Sequence, residues 1–202
     1  MPGSTRRLRL GDAEYELRRP RLSDAQRWRA VRTAERARLE AALARPGMTW
    51  EQVNSPAVWV EHVVRSRAQL RRGTALHFVV VEHRAQSWRI VGEVGLEVQK
   101  STATGELAIW IAAFRGAGEV ARWAVAAVTL SGFAPPYELA RAVGPVSVTN
   151  PRPNAIVSRL GFTQVATRRR LRVYGGQPED HYIWMLDNTE QTKARLQEEV
   201  AR

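Results

Sequence analysis

Residues 106–120, ELAIWIAAFRGAGEV, contain the most informative local pattern in the chain. Its first half alternates, with Leu107, Ile109 and Ile111 on one side and Glu106 and Trp110 on the other, which predicts a strand over Glu106–Ala112. The turn Arg-Gly-Ala-Gly follows, and the alanine-rich apolar run that continues to residue 130 predicts a buried helix. The chain therefore runs from a strand through a glycine turn into a helix.

A glycine turn at the start of a helix exposes backbone N–H groups and the positive end of the helix dipole, and such a site favours phosphate. A tight turn with no ligand is the ordinary alternative. A P-loop is excluded, because Glu119 and Val120 stand where lysine and serine or threonine are required. The dinucleotide fingerprint fits by letters at Gly116, Gly118 and Ala121, but the two preceding segments indicate antiparallel strands instead of a βαβ unit.

Outward from this unit, the hydrophobic pattern predicts an α+β protein. We expect one domain over residues 1–202, with a tail over 1–12, a C-terminal helix over 188–202, and a mixed, mostly antiparallel sheet of about seven strands flanked by helices. Predicted strands other than Glu106–Ala112 cover residues 13–19, 75–81, 90–99, 142–149, 162–173 and 181–186, and a short helix covers 154–160. Two further helices are predicted between the first two of these strands: one begins at Ser23 and is broken by Pro46 and Gly47, and the other begins at Ser55-Pro56 and is closed by Gly73.

Composition limits the partners and the location. The net charge of +11 favours polyanions, and the densest cluster is Arg168-Arg169-Arg170 with Arg172; on a regular strand Arg168, Arg170 and Arg172 share one face. A solvated face is the default interpretation, and weak contact with rRNA or with a cofactor phosphate is the functional one. The absence of cysteine and of any long apolar run predicts a cytoplasmic protein without membrane contact, and the four histidines have no metal-ligand spacing, which predicts no metal site.

Several motifs together resemble the GNAT superfamily of N-acetyltransferases. Its acetyl-CoA motif, Arg/Gln-x-x-Gly-x-Gly/Ala, is matched by Arg115 and Gly118, whereas Val120 departs from it. The spacing of Glu106 and Trp110, the segment from Asn150 to Asn154 and the later Leu160-Gly161-Phe162 are similar to the branch that acetylates the N-termini of ribosomal proteins.

The resemblance implies a GNAT fold and acetyl-CoA as cofactor. The pyrophosphate would be held by the residues of the turn, which are Arg115, Gly116, Ala117, Gly118, Glu119 and Val120. The side chain of Val120 would narrow the pocket at one of these pyrophosphate contacts. The backbone N–H near Ile111 or Ala112 would bind the thioester oxygen, and the backbone of Ala113 would pair with the pantetheine arm. Asn150 would contact the cofactor as well, and Asn154 would do so or cap the short helix.

The resemblance also nominates residues for the chemistry. Glu106 is the first candidate for the base that takes the amine proton, with Glu93 and then Glu97 as rivals. The family's acid is a tyrosine or serine, but here Val157 and Pro153 stand at those positions. Ser158 or Asn154 are the remaining substitutes. Trp50 and Trp110 are candidates for the acceptor site.

The hypothesis is acetyl transfer to a primary amine, most specifically the N-terminal α-amine of a protein such as a ribosomal protein. Acetylation of a small-molecule amine or an antibiotic is one alternative. A catalytically weak, basic protein associated with the ribosome or RNA is another. A monomer and a homodimer are both compatible with the sequence.

Overall fold

The computed structural model describes residues 6–202, and its centre is one eight-stranded sheet. The spatial order is β1-β2-β3-β4-β5-β6-β8-β7, and every neighbouring pair is antiparallel except β5 and β6. The strands are β1 (Arg6–Leu10), β2 (Ala13–Arg18), β3 (Ala75–Arg84), β4 (Ser87–Gln99), β5 (Thr104–Ile111), β6 (Arg141–Ser147), β7 (Thr163–Tyr174) and β8 (Gln177–Asp187).

In the described part of the chain, seven α-helices surround the sheet: α1 (Ala25–Ala34), α2 (Arg36–Leu43), α3 (Trp50–Val53), α4 (Pro56–Arg72), α5 (Ala117–Phe133), α6 (Pro151–Arg159) and α7 (Glu190–Val200). The apolar α5 lies in the main core and contacts β3, β4, β5 and β6. On the opposite face, α1 and α4 cover a second core that includes Trp28, Trp59 and Val63. Among the described residues, no helix is both long enough and apolar enough to span a membrane.

The α+β class and the mixed sheet are confirmed, but the strand number is eight instead of about seven. The additional strand is β1, which lies within the segment predicted to be a tail. It pairs with β2 from Arg6↔Leu17 to Leu10↔Ala13, because Leu8 is buried in the main core and Gly11 turns the chain back. Residues 1–5 of the predicted tail lie outside the described residues.

The segment between β2 and β3 also differs from the prediction. Four helices occupy it instead of two, and the first of the predicted helices is broken at Glu35. The backbone of Glu35 has φ −93° and ψ 14°, outside the helical region, and its carboxylate leaves α1 to accept a hydrogen bond from the Ala113 N–H at 3.0 Å. The break between α1 and α2 thus coincides with a contact between distant parts of the chain.

The parallel pair β5 and β6 separates soon after it forms. Pairing covers only Thr104–Glu106 against Arg141–Val143, although both strands continue, β5 to Ile111 and β6 to Ser147. A gap therefore opens in the middle of the sheet. The glycine turn and α5 follow directly after the β5 side of this gap.

The C-terminal helix α7 packs on α5, although few apolar residues were available to dock it. Leu196 is fully buried in the main core, and Arg122 Nε of α5 donates to Glu199 Oε1 at 2.7 Å. The buried Leu196, the partly buried Val200 and this ion pair together hold the helix against the core.

We expect the Leu196→Ala variant to lower the free energy of unfolding by about 2–4 kcal/mol, because truncation of a fully buried leucine leaves a cavity between α7 and α5. Urea denaturation followed by circular dichroism measures the change. The exposed Glu198→Ala in the same helix is the control and should change stability by less than about 0.5 kcal/mol. Equal effects of the two variants would show that α7 does not depend on this contact.

Candidate active site

The backbone of β5 faces the gap at alternate residues. Ala112 N–H donates to Val91 O at 2.7 Å, so Ala112 belongs to the ladder with β4. Because hydrogen-bonding direction alternates along an antiparallel ladder, the N–H and C=O groups of Ile111 and Ile109 point away from β4, toward β6. The Arg38 guanidinium, 3.4 Å from Ile111 O, lies on that side. Ile111 thus faces the gap as the prediction requires, whereas the Ala112 N–H does not and is no longer a candidate for the thioester oxygen.

Ala113 continues the pattern beyond the strand, and its N–H is held by the Glu35 carboxylate at 3.0 Å. Glu35 also forms an ion pair with Arg38. A carboxylate oxygen of Glu35 therefore accepts the hydrogen bond of the N–H group that the resemblance assigns to the pantetheine arm.

The glycine turn forms the N-terminus of α5. Gly116 adopts φ 90°, a left-handed conformation that favours glycine, so this glycine is required by the backbone of the turn. The N–H of Ala117 donates to Phe114 O, and the N–H groups of Glu119 and Val120 donate to Gly116 O.

Gly118, by contrast, lies where the first turn of α5 opens to solvent. A Cβ there would meet nothing within 4 Å. Arg115 and Glu119 are exposed on either side of it, and no salt bridge of Arg115 is found within residues 6–202. Val120 is different: its side chain is fully buried in the main core, so it does not narrow a pocket at the turn.

Across the gap, β6 leaves free space at Gly144. Gly144 is buried, yet a Cβ built on it would meet no atom within 4 Å. It follows Val143, the last β6 residue paired with β5. The gap, this space and the open helix N-terminus would accommodate an extended ligand with a phosphate at one end.

The predicted residues on α6 have separate roles. Asn150 is exposed at the N-cap position and its side chain caps nothing, so it is available to a ligand. Asn154 lies in the first turn of α6, which begins three residues earlier than predicted; its amide donates to Ser147 O and Asn150 O and accepts from Trp184 Nε1. Ser158 is exposed, and Val157 is buried in the core.

Glu106 lies on the sheet face opposite α5, as the alternation predicted, with Leu107 and Ile111 in the core. Its carboxylate is half exposed and forms an ion pair with Arg172 of β7. The β7–β8 hairpin reaches the same side of the molecule, where Gly175 N–H donates to Ala41 O of α2 at 2.9 Å. Glu106 is thus next to a hairpin that curls over the open face of the sheet.

The rival glutamates are both engaged. Glu93 Oε2 accepts hydrogen bonds from Trp28 Nε1 at 2.9 Å and Trp110 Nε1 at 2.8 Å, and Oε1 lies 3.1 Å from His62 Nε2. Burial by itself would raise the pKa of Glu93, but these donors together lower it to about 2. A carboxylate so strongly stabilised as an anion is a poor base at neutral pH. Glu97, opposite Glu106 in the β4–β5 ladder, is bound by its His77 and Gln69 neighbours.

An arginine occupies the centre of the adjoining aromatic cluster. The Arg32 guanidinium lies 4.7 Å from the Trp28 ring, 5.2 Å from the Trp50 ring and 5.8 Å from the Trp110 ring, and Arg32 Nε donates to Asn54 Oδ1. Burial lowers the pKa of Arg32, and the neighbouring Glu93 acts in the opposite direction. The two predicted acceptor-site tryptophans are therefore brought together around a buried cation.

Sequence reasoning missed Arg32 and His62 as parts of this cluster. Both lie on helices with many polar residues and have no distinguishing spacing. In the part of the chain that is described, no group of three or more histidine, aspartate or glutamate side chains is placed to hold a metal ion.

Solved structures of similar shape are available for comparison. RimJ from Mycobacterium smegmatis in complex with CoA-disulfide has 23% identity and a TM-score of 0.80, covering 96% of this chain and 93% of that one. The ribosomal-protein-S5-alanine acetyltransferase from Vibrio fischeri has 18% identity and a TM-score of 0.72 over 91% and 97% of the two chains. The microcin C7 self-immunity acetyltransferase MccE, in complex with acetyl-CoA and AMP, has 18% identity and a TM-score of 0.68 over 86% and 92%.

These identities are low, and the likeness to the three structures concerns the fold. No curated protein matches the chain in sequence. The family is established by the sequence itself, because residues 15–163 match the family model described as the acetyltransferase (GNAT) domain. The gap, the glycine turn and α5 all lie within the matched residues, and this chain belongs to the GNAT acetyltransferase family.

Proposed function

We propose that the protein transfers an acetyl group from acetyl-CoA to the N-terminal α-amine of a protein such as a ribosomal protein, in the cytoplasm. The observation that carries the proposal is the unpaired gap between β5 and β6, which leads to the open N-terminus of α5 at Gly118. Two of the similar structures contain CoA or acetyl-CoA, and a third is a ribosomal-protein-S5-alanine acetyltransferase, which supports both halves of the proposal.

The gap and the turn fit the cofactor. The N-terminus of α5, with Gly118 and Arg115, would hold the pyrophosphate through backbone N–H groups and charge. The peptide groups of Ile111 and Ala113 would align the pantetheine arm as an added strand. Asn150 would contact the cofactor from the end of β6. Bound there, acetyl-CoA supplies an activated acetyl group as a thioester.

The remaining steps of acetyl transfer are assigned to backbone and side-chain groups of this chain. The Ile111 N–H faces the gap and would donate to the thioester oxygen, where negative charge develops. Glu106 would take the proton of the attacking amine, directly or through water, once its contact with Arg172 opens to admit the acceptor. Ser158 is the exposed hydroxyl of α6 that could return a proton to the leaving sulfur. Trp50 and Trp110, around Arg32, would line the inner end of the acceptor site.

Acetylation of a small molecule is the second candidate. One observation favours it: MccE, a self-immunity acetyltransferase, shares the fold over most of both chains. Release of CoA with a panel of small amines and antibiotics, compared with peptides of differing N-terminal residue, separates the two candidates. Turnover with peptides alone would support the first proposal, and turnover with small amines alone would replace it. Saturable acetyl-CoA binding without turnover on either panel would favour a catalytically weak protein associated with the ribosome or RNA.

The cofactor site is tested by placing a charge at the open turn. We expect Gly118→Asp to weaken acetyl-CoA binding by about 10-fold or more in calorimetric titration, because the carboxylate repels the pyrophosphate. Gly118→Asn is the matched control, because it has nearly the same size as aspartate without the charge and its Cβ meets no protein atom within 4 Å; it should weaken binding much less than Gly118→Asp does. Unchanged affinity in the aspartate variant would place the phosphates elsewhere.

Removal of Glu35 tests the role of the Ala113 N–H. If the pantetheine arm takes that N–H, the Glu35 carboxylate competes with it, and Glu35→Ala should tighten acetyl-CoA binding by about 3- to 10-fold. Glu40→Ala removes the same charge from α2 without touching the gap and should leave the dissociation constant unchanged. Weaker binding in the Glu35 variant would contradict competition at this group.

Glutamine variants separate the candidate bases. Glu106→Gln should lower kcat by about 100-fold or more with little change in acetyl-CoA affinity, because the amide cannot accept the amine proton. Glu97→Gln alters the neighbouring carboxylate on the same face and should change kcat by less than about 3-fold. Steady-state kinetics with a peptide acceptor gives both values. The opposite ranking would assign the base to Glu97.

A further inference from the structure

The free edge of the sheet along β7, apart from Arg172 and its contact with Glu106, is a surface that the proposed chemistry does not use. This strand is last in the strand order, and ten of its twelve residues are exposed. Three of the exposed residues are large and apolar, Val165 at 48%, Leu171 at 43% and Val173 at 62%. The strand therefore leaves about half of each of these apolar side chains exposed.

The same strand presents unpaired positive charge. Arg168, Arg169 and Arg170, here termed the arginine edge, are exposed, and their side chains form no salt bridge within residues 6–202. The acidic groups nearby are committed to other partners: Asp180 accepts from the Arg170 N–H, and Glu179 accepts from Ser147 and Thr149. The charge of the arginine edge is thus available to a partner.

A bulge shapes this edge and corrects the predicted alternation. Arg168 pairs with His181 and Arg172 with Glu179, so three residues of β7 stand opposite Asp180 alone. Arg170 takes a left-handed backbone with φ 49°. Arg168, Arg170 and Arg172 therefore do not share one face as a regular strand would require. A bulged edge is also poorly suited to strand addition, so a partner would contact side chains.

The position of the arginine edge connects it to the acceptor. Arg172, in the same strand, reaches Glu106, and the hairpin turn that follows contacts α2 through Gly175 and Ala41. A polypeptide whose α-amine reached Glu106 would pass this hairpin on its way out of the site.

The side chains of the edge favour a polypeptide over RNA. Single-stranded RNA is bound by arginines together with aromatic rings that stack on bases. The single aromatic residue of β7, Tyr174, is instead stacked on His181, with ring centroids 5.4 Å apart. Aliphatic side chains interleaved with arginines fit a segment that itself mixes apolar and acidic residues.

We propose that the arginine edge binds an acidic segment of the acceptor protein, downstream of the α-amine that is acetylated. This inference rests on the proposed function, and it defines the substrate class more narrowly as proteins with an acidic segment after the N-terminus.

Peptide binding tests the inference without turnover. Two labelled peptides share the first four residues, Ala-Ser-Val-Leu, followed by three repeats of Glu-Val-Asp-Ala in one and of Gln-Val-Asn-Ala in the other. Fluorescence anisotropy should give about 10-fold tighter binding of the acidic peptide in about 50 mM salt, and the preference should fall below about 2-fold in about 0.5 M salt. Equal binding of the two peptides would overturn the inference.

Variants locate the preference. Replacement of Arg168, Arg169 and Arg170 by glutamine should abolish the preference for the acidic peptide and leave acetyl-CoA affinity unchanged. The matched control replaces the exposed Arg67, Arg71 and Arg72 of α4 by glutamine and should retain it.

Three results with the arginine-edge variant would contradict the inference. The variant could retain the preference for the acidic peptide, or it could lose acetyl-CoA affinity. It could also lose binding to an oligouridine while its binding to the acidic peptide persists. The last two would assign the surface to the cofactor phosphate or to RNA. Failure of the wild type to bind acetyl-CoA would defeat the proposed function and leave the anisotropy result standing. Intact turnover with no preference between the peptides would defeat only the inference.

Discussion

The separation of β5 from β6 after three residue pairs is the constraint on which the rest of the site depends. Buried peptide groups must find hydrogen-bond partners, and a strand pulled away from its neighbour leaves a row of them without any. Here Arg38 and Glu35 approach two of these groups, at Ile111 O and Ala113 N. Both residues come from the junction of α1 and α2, so the break between these helices and the gap in the sheet are parts of one arrangement.

On the face of the sheet away from α5, two glutamates lie in very different surroundings. Glu93 is enclosed by three nitrogen donors, which hold its pKa at about 2 and fix it as an anion next to the Arg32 cluster. Glu106 is half exposed, beside the gap, and its partner is one arginine on a hairpin. The first arrangement orders the core between α1, α4 and the sheet. The second leaves a carboxylate that a substrate can reach, which is what a base requires.

In the outer part of the sheet, the edge strand β7 both protects the sheet against unwanted pairing and presents positive charge. β8 is partly buried between β6 and β7, and it carries the fully buried His181. β7 has no second neighbour, and its bulge at Arg169–Leu171 interrupts the regular edge. Bulges and charged residues are common protections of a sheet edge against unwanted pairing. The same features present three arginines in one place beside the hairpin that reaches Glu106.

The α+β class, the strand, glycine turn and helix around residues 106–120, and the side of β5 on which Glu106 lies could all be predicted from the amino-acid pattern. These follow from local periodicity and from glycine chemistry, which need no distant partner. Tertiary structure decided the rest. β1 is a strand because β2 pairs with it and the core covers Leu8, and Glu35, at the break between α1 and α2, is brought into contact with Ala113. Glu93 is held as an anion because His62, Trp28 and Trp110 meet there, and the Ala112 N–H is engaged because Val91 O accepts its hydrogen bond. Each outcome depends on residues far apart in the chain, and the residue types alone do not encode which of them meet.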